Sequence, residues 1–343
     1  MRAAIVHRFG SASNIKFTTN ATVPEIKENQ LLVRVKASAV NPVDTYIRSG
    51  EYANLPQVPY IPGREGAGII EKVASNVKKF SPGDRVWFTT PVTGSCADLA
   101  VVAESSAFRL PNKTSFAQGS TLGIAYLTAY RALFIKAKAQ PGQTCFIHGA
   151  SGGVGLAAVQ LAKAHGLKVY GTAGSKEGLQ LAKNAGADHV FNHNEANYVD
   201  TILENNSNGF DVILEMLANV NLNHDLALVA KFGYICVIGN RGKIEIDPRR
   251  IMQKESSIVG VFLAHSEKHE YEHMANSINS MLENGTLNPI IDTELPLSNL
   301  PDAHIMVVEK SASKGKIVIN MDLPDKESTV PAEDLDRNSP PSD

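Results

Sequence analysis

The run Ile147-His148-Gly149-Ala150-Ser151-Gly152-Gly153-Val154-Gly155 limits what this chain can fold into more than any other stretch. It follows a strand-like run, Thr144 to His148, and opens a helical segment, Val154 to His165. In that segment Val154, Ala158, Leu161 and Ala162 fall at the spacing that packs one helix face on a sheet. Small residues at the bend let the backbone turn sharply and let a pyrophosphate approach main-chain N–H groups. They also let the helix lie close on its strand. The strict G-x-G-x-x-G fingerprint reads A-x-G-x-x-G here, with Ala150 in the first position. The strand–loop–helix context favours a dinucleotide site over a plain tight connection.

Downstream, strands alternate with amphipathic helices: Lys168 to Thr172 then Lys176 to Asn184, and His189 to Phe191 then Tyr198 to Leu203. Asp211 to Glu215 then Leu222 to Lys231 follow, and strands Tyr234 to Ile238 and Ser257 to Leu263 complete a set of six. That is an α/β pattern, a doubly wound parallel sheet of Rossmann type. Before it come short β-rich runs, Ala3 to Val6, Leu31 to Ala39, Gly68 to Val73 and Arg85 to Phe88, with Ser81-Pro82-Gly83-Asp84 as a hairpin turn. After it come a helix and a closing strand, Lys316 to Asn320. A chain of 343 residues exceeds the ~250–300 at which single cores stop growing, so two domains are expected. Their limits are residues 1–122 (β-rich), 123–264 (dinucleotide-binding) and 265–321 (a second β-associated part). Residues 322–343, rich in Pro, Ser, Asp and Glu, read as a disordered tail.

The end of the second strand of the set tests cofactor choice. Dinucleotide folds that prefer NAD place a carboxylate there against the ribose 2′-hydroxyl. Here the segment is Thr172-Ala173-Gly174-Ser175-Lys176, with a hydroxyl and a cation for a 2′-phosphate, so NADPH is favoured. The plain alternative is that Lys176 is a solvated first-turn lysine.

Bulk properties narrow the class. The 33 basic and 35 acidic side chains leave a net charge of -2, which gives no field to draw a polyanion or an anionic membrane. Three cysteines, Cys96, Cys145 and Cys236, are too few for a four-cysteine zinc site or a disulfide framework. No stretch reaches the ~18 apolar residues of a span, the start lacks a secretory h-region, and the last residues are not a peroxisomal address. A cytoplasmic enzyme is expected.

Four segments carry a family resemblance: Asn41 to Gly50, His148 to Gly155, Glu215 to Asn221 and Lys254 to Val261. In that order they are similar to the zeta-crystallin type of NADPH:quinone oxidoreductases, zinc-free members of the medium-chain dehydrogenase/reductase superfamily. The resemblance covers the chain to about residue 320. It implies a GroES-like β-barrel catalytic domain split between residues 1–122 and 265–321, with the Rossmann domain inserted. It implies NADPH contacts at Tyr46, Ser151, Gly152, Gly153, Val154, Gly174, His193, Asn221, Ile238, Gly239, Asn240, Arg241, Val261, Phe262 and Leu263, to which Lys176 is added from the residues themselves. Ser151 to Val154 would cradle the pyrophosphate; Gly174, Lys176 and His193 would surround the adenosine ribose; Val261 to Leu263 would hold the nicotinamide carboxamide.

Zinc-dependent relatives carry a ligand cysteine near the position of Asn41 and a ligand histidine in a G-H-E segment. Here that segment reads Gly63-Arg64-Glu65, and arginine, always protonated, cannot ligate zinc. No metal is expected. The resemblance implies reduction of quinones, ortho-quinones among them, positioned against the nicotinamide in a dry cleft. Asn41, Tyr46 and Arg241 are the candidate catalytic donors or positioners, with Asp44 either orienting Tyr46 or simply solvated. Phe262 as core, His193 as a loop histidine and Tyr46 as interface packing are the plain alternatives. An enone or enoyl-thioester reductase of the same superfamily is the nearest rival. Binding of AU-rich mRNA or a structural crystallin role is the rival of another class. A homotetramer, with a dimer as minimum, is also implied.

Overall fold

A computed structural model describes residues 1–309 and 314–325. β1 (Ala3–Val6) and β2 (Ile15–Thr18) pair antiparallel ahead of β3 (Gln30–Val40), β4 (Glu65–Val73), β5 (Arg85–Thr89), β6 (Leu99–Ala103) and β7 (Ala107–Arg109). Along β3, Leu31, Val33 and Val35 enter a core with Ile70, Val86, Phe88 and Val102, while Arg34 stays exposed. On the opposite face Leu32 is buried as well, against Leu99 and Val101, so β3 is covered on both faces except at Arg34. Between β3 and β4, α1 (Pro42–Ser49) starts on Pro42, whose fixed φ suits a first helical turn, and stops at Gly50, which takes a left-handed φ of 87°. α2 (Phe116–Gly119) and α3 (Leu127–Tyr130) then cross toward the second sheet, with wide i→i+5 turns at Leu122–Tyr126 and Arg131–Lys136.

The second sheet holds β8 (Thr144–Ile147), β9 (Lys168–Ala173), β10 (His189–Asn192), β11 (Phe210–Glu215), β12 (Val229–Val237) and β13 (Ser257–Gly260). Their order is β10-β9-β8-β11-β12-β13, every pairing parallel. The crossovers carry α4 (Gly153–Ala164), α5 (Lys176–Asn184), α6 (Tyr198–Asn205), α7 (Ala218–Leu228) and α8 (Pro248–Lys254). This is the six-stranded α/β sheet that the strand–helix rhythm predicts. Several boundaries differ: α7 starts at Ala218, and β13 ends at Gly260, with Leu263 in a 3-10 turn. The helical pattern runs on to Lys231, yet the chain is strand from Val229, because fully buried Val229 pairs with Phe210 of β11 and tertiary pairing overrides the local period.

α9 (Lys268–Glu283), β14 (Ile291–Leu295), α10 (Leu300–Glu309) and β15 (Lys316–Asn320) follow. The first sheet closes in the order β14-β15-β3-β4-β5-β7, with β6 on β3, so segments from both halves of the sequence build it. α9 instead packs Met274, Ala275, Ile278 and Leu282 into the cluster that holds Leu133, Cys145, Ala158 and Leu161. The same cluster takes in Trp87 and Phe108, so one core runs from the antiparallel sheet to the parallel one. Residues 322–325, expected within the tail, are held: Asp322 pairs with Lys36 at 2.9 Å and Asp325 with Arg2 at 2.8 Å. The rest of that tail, from residue 326, lies outside the described residues. All three cysteines are free and buried.

Candidate active site

Sheet order reverses between β8 and β11, which opens a crevice at the carboxyl ends of the parallel strands. The expected cofactor residues line up along that edge. Ser151 and Gly152 follow β8, Gly174 follows β9, His193 follows β10, Ile238 to Arg241 follow β12, and Val261 to Leu263 follow β13. Asn221 lies on α7, after β11.

Gly152 caps α4 with its own N–H given to the Gly149 carbonyl at 2.9 Å, and Gly153 and Val154 begin the helix, the end at which an anion is favoured. A Cβ on Gly155 would sit 2.2 Å from the Gly149 carbonyl and 2.7 Å from Ala150 Cα, so only glycine allows helix and loop this close. Ser151 is buried, and its carbonyl accepts the Gly315 N–H at 2.9 Å. Ser175 caps α5 through the Gly178 N–H at 3.0 Å and leaves Lys176 exposed on the first turn. His193 is exposed beside Gly174, and the partial desolvation of its ring lowers its pKa. Asn221 donates to Glu215 Oε1 at 3.2 Å; Asn240 donates to the Gly242 carbonyl and is exposed. Val261 is buried, Phe262 is exposed against His265, and the Leu263 carbonyl accepts the Tyr271 hydroxyl at 2.9 Å.

Of the three candidate catalytic groups, two meet. Arg241 Nε donates to Tyr46 Oη at 3.2 Å, and the Arg241 main-chain N–H donates to Asn219 Oδ1, which fixes its turn. Asp44 does not orient Tyr46: its Oδ2 accepts the Asn41 main-chain N–H at 2.8 Å, the reach-back of a capping box. Burial pushes the Asp44 carboxyl up to about 6.

Asn41 stands apart from that pair, in a buried network that sequence reasoning missed. Its Nδ2 donates to Glu65 Oε1 at 2.7 Å, and its Oδ1 accepts from Lys316 Nζ at 2.5 Å. Lys316 also donates to Glu65 Oε1 at 3.0 Å, and Glu65 Oε2 accepts the Ile124 N–H at 2.7 Å. Glu65 is 0% and Lys316 6% exposed. The Lys316 stem closes on the nucleotide loop, since a Cβ on Gly153 would lie 2.6 Å from Lys316 Cδ. The Asn41–Glu65 network and the bend after β8 therefore share one side chain. A lysine opening the run Lys-Ile-Val-Ile gave no signal of burial, because strand starts usually face water.

Beneath the loop, His148 Nε2 lies 2.7 Å from Asp225 Oδ1 and 3.3 Å from Glu215 Oε2, all three groups buried. One ring nitrogen and two carboxylate oxygens, one from each residue, lie within 4.8 Å of one another. Burial pushes both carboxyls up to about 7 and the imidazole down. Glu215 Oε2 and Asp225 Oδ2 otherwise lack hydrogen-bond partners, and one proton kept between the carboxyls satisfies both. The cluster ties the end of β8 to β11 and α7.

A family model described as zinc-binding dehydrogenase matches residues 153–280, and one described as alcohol dehydrogenase GroES-like domain matches residues 27–134. The quinone oxidoreductase of Homo sapiens is 45% identical over 320 residues, 93% of this chain and 97% of the relative. That of Mus musculus is 47% identical over 322 residues, with the same coverage. The chain belongs to the quinone oxidoreductase family. A solved structure, Escherichia coli quinone oxidoreductase complexed with NADPH, matches with a TM-score of 0.84 at 28% identity, over 93% of this chain and 100% of that one. Where the resemblance to zinc-dependent kin leads one to expect metal ligands, this chain has an amide and a guanidinium, Asn41 and Arg64. The amide of Asn41 is already committed to Glu65 and Lys316.

Proposed function

We propose that this protein is an NADPH-dependent quinone reductase that works without a metal. The observation that carries the proposal is a close-packed bend, Ser151 to Val154, joined through Lys316 to the buried Asn41–Glu65 network; work without a metal is supported by the resemblance, which sets Asn41 and Arg64 where zinc-dependent kin carry ligands. The close packing that only Gly155 permits fits a loop built for a diphosphate. Ser151, Gly152, Gly153 and Val154 hold that diphosphate. Gly174, Lys176 and His193 hold the adenosine ribose and its 2′-phosphate, Asn221 and Ile238 to Arg241 line the crevice, and Val261, Phe262 and Leu263 hold the nicotinamide end. Bound NADPH supplies the reducing equivalents.

Tyr46 accepts from Arg241, so its own phenolic proton remains free to donate to a substrate oxygen. The Arg241 cation behind it stabilises negative charge developing on that oxygen. Asn41 positions the start of α1, and hence Tyr46, through Glu65 and Lys316. The catalytic unit is taken as residues 1–122 with 265–321, and the cofactor unit as 123–264. No helix among the described residues is long and apolar enough to cross a membrane, and we place the enzyme in the cytoplasm. A homotetramer, with a dimer as minimum, is implied by the resemblance; β13, an edge strand among the described residues, and Met252, 74% exposed nearby in the sequence, offer a surface for association.

The test is oxidation of NADPH by the purified protein with ortho-quinones, alkenals and enoyl-CoA side by side, alongside AU-rich RNA gel shifts competed by NADPH. Turnover confined to quinones supports the proposal. Turnover of enones or enoyl thioesters alone, or RNA binding without any turnover, overturns it.

A further inference from the structure

A cavity of about 790 Å³ opens in the catalytic domain between α1 and the segments before β4 and β6. Its walls are mostly apolar, with Ile5, Ile47, Leu55, Pro56 and Val92 among them. Two polar groups on its lining have unmet capacity. Tyr60 Oη is buried with no hydrogen-bond partner. Arg64 is half-buried, and among the described residues its guanidinium has neither an ion pair nor a side-chain hydrogen bond. The carboxylate nearest in effect is Asp44, also on the lining, but its Oδ2 is taken by the Asn41 N–H.

Arg64 is also tied to the reaction cleft. It precedes Glu65, the anchor of Asn41 and Lys316. The cavity lining also takes Asp44 and Ile47 from α1, the helix that carries Tyr46.

A half-buried guanidinium is partly stripped of water, and an anion is what satisfies it; its planar donor fork matches a carboxylate or sulfonate in two-point contact. An apolar chamber with one unused phenol donor fits a flat ring that carries oxygen acceptors. We propose that this cavity seats the quinone ring and that Arg64 makes the enzyme favour quinones bearing an anionic substituent over neutral quinones of the same ring size. The proposal rests on the quinone-reductase assignment. Tyr60 donates to a ring oxygen, Arg64 grips the anionic group, and Asp44, held at the start of α1, stays turned to its own helix.

The experiment compares kcat/KM for naphthoquinone sulfonate and unsubstituted naphthoquinone, with NADPH, in the wild type, Arg64→Leu and Arg64→Lys. The sulfonate-to-neutral ratio should fall about tenfold or more in Arg64→Leu, mainly through KM, and largely return in Arg64→Lys. A ratio that stays within about twofold across all three overturns the proposal. Titration calorimetry of redox-inert naphthalene sulfonate into NADP-saturated protein keeps the two layers apart. Loss of that binding in Arg64→Leu supports the site even where no quinone is turned over, an outcome that would sink the reductase assignment alone. Binding that survives Arg64→Leu overturns the site even where quinones are reduced. Thermal melts of each variant establish that it is folded.

Discussion

Replacing Lys316 by methionine keeps the length of the stem against Gly153 but removes the only cation in contact with Glu65 among the described residues. Glu65 is fully buried, and it would retain two donors, Asn41 Nδ2 at 2.7 Å and the Ile124 N–H at 2.7 Å. Breaking one side of a buried pair costs about 3–5 kcal/mol, and the two surviving hydrogen bonds place Lys316→Met near the lower end. Against a total stability of about 5–15 kcal/mol, that is a large fraction. The companion change, Glu65→Gln, removes the stranded charge. The double variant should therefore recover about 2 kcal/mol relative to Lys316→Met, which a double-mutant cycle reads as coupling. Urea unfolding followed by circular dichroism measures each corner. The losses should hardly change with added salt, because buried charges are poorly screened. A Lys316→Met variant within about 0.5 kcal/mol of wild type, or a double variant no better than the single, would refute the reasoning.

Three further outcomes follow from the same geometry. Lys176→Ala should raise the NADPH dissociation constant about tenfold and leave NADH nearly untouched, read by fluorescence titration; equal weakening of both would mean Lys176 is only solvated. Gly155→Ala puts a methyl 2.2 Å from the Gly149 carbonyl, so it should cost about 1–3 kcal/mol and displace the loop enough to weaken NADPH about tenfold. Unaltered NADPH affinity would contradict that. Glu215 and Asp225 hold protons to about pH 7 when folded, whereas unfolded carboxyls release them near pH ~4. The folded state binds the extra protons, so this cluster's contribution is present at low pH and lost as pH rises through about 7. Asp225→Asn should flatten the fall in melting temperature between about pH 4 and 7. Parallel curves for the two proteins would exclude the shared proton.

The parts legible in the sequence are those written locally. The bend from Gly149 to Gly155, the strand–helix alternation after it and the missing carboxylate at the end of β9 are each contained within a few turns of chain. Long-range pairing was not legible. Lys316 reads as an ordinary strand-start lysine, and its partner Asn41 lies 275 residues away, so its burial depends on the late strand β15 lying against β3. His148 and Asp225, 77 residues apart, meet only because β8 and β11 are neighbours in the sheet. Asp44 was open to two roles, and its spacing of three from Asn41, a capping-box interval, was the available clue. Val229 marks the opposite failure: a clear helical period ran past the true end of α7 because strand pairing decided the matter.

The measurement that bears most directly on the account is the specificity constant for an ortho-quinone with NADPH and with NADH, taken on protein exhaustively treated with chelator. A loop that grips a diphosphate, a cation at the first turn of α5 and a wall without metal ligands predict turnover that survives chelation and favours NADPH by about tenfold or more. Turnover that disappears with the chelator, or that runs equally well on NADH, would contradict it.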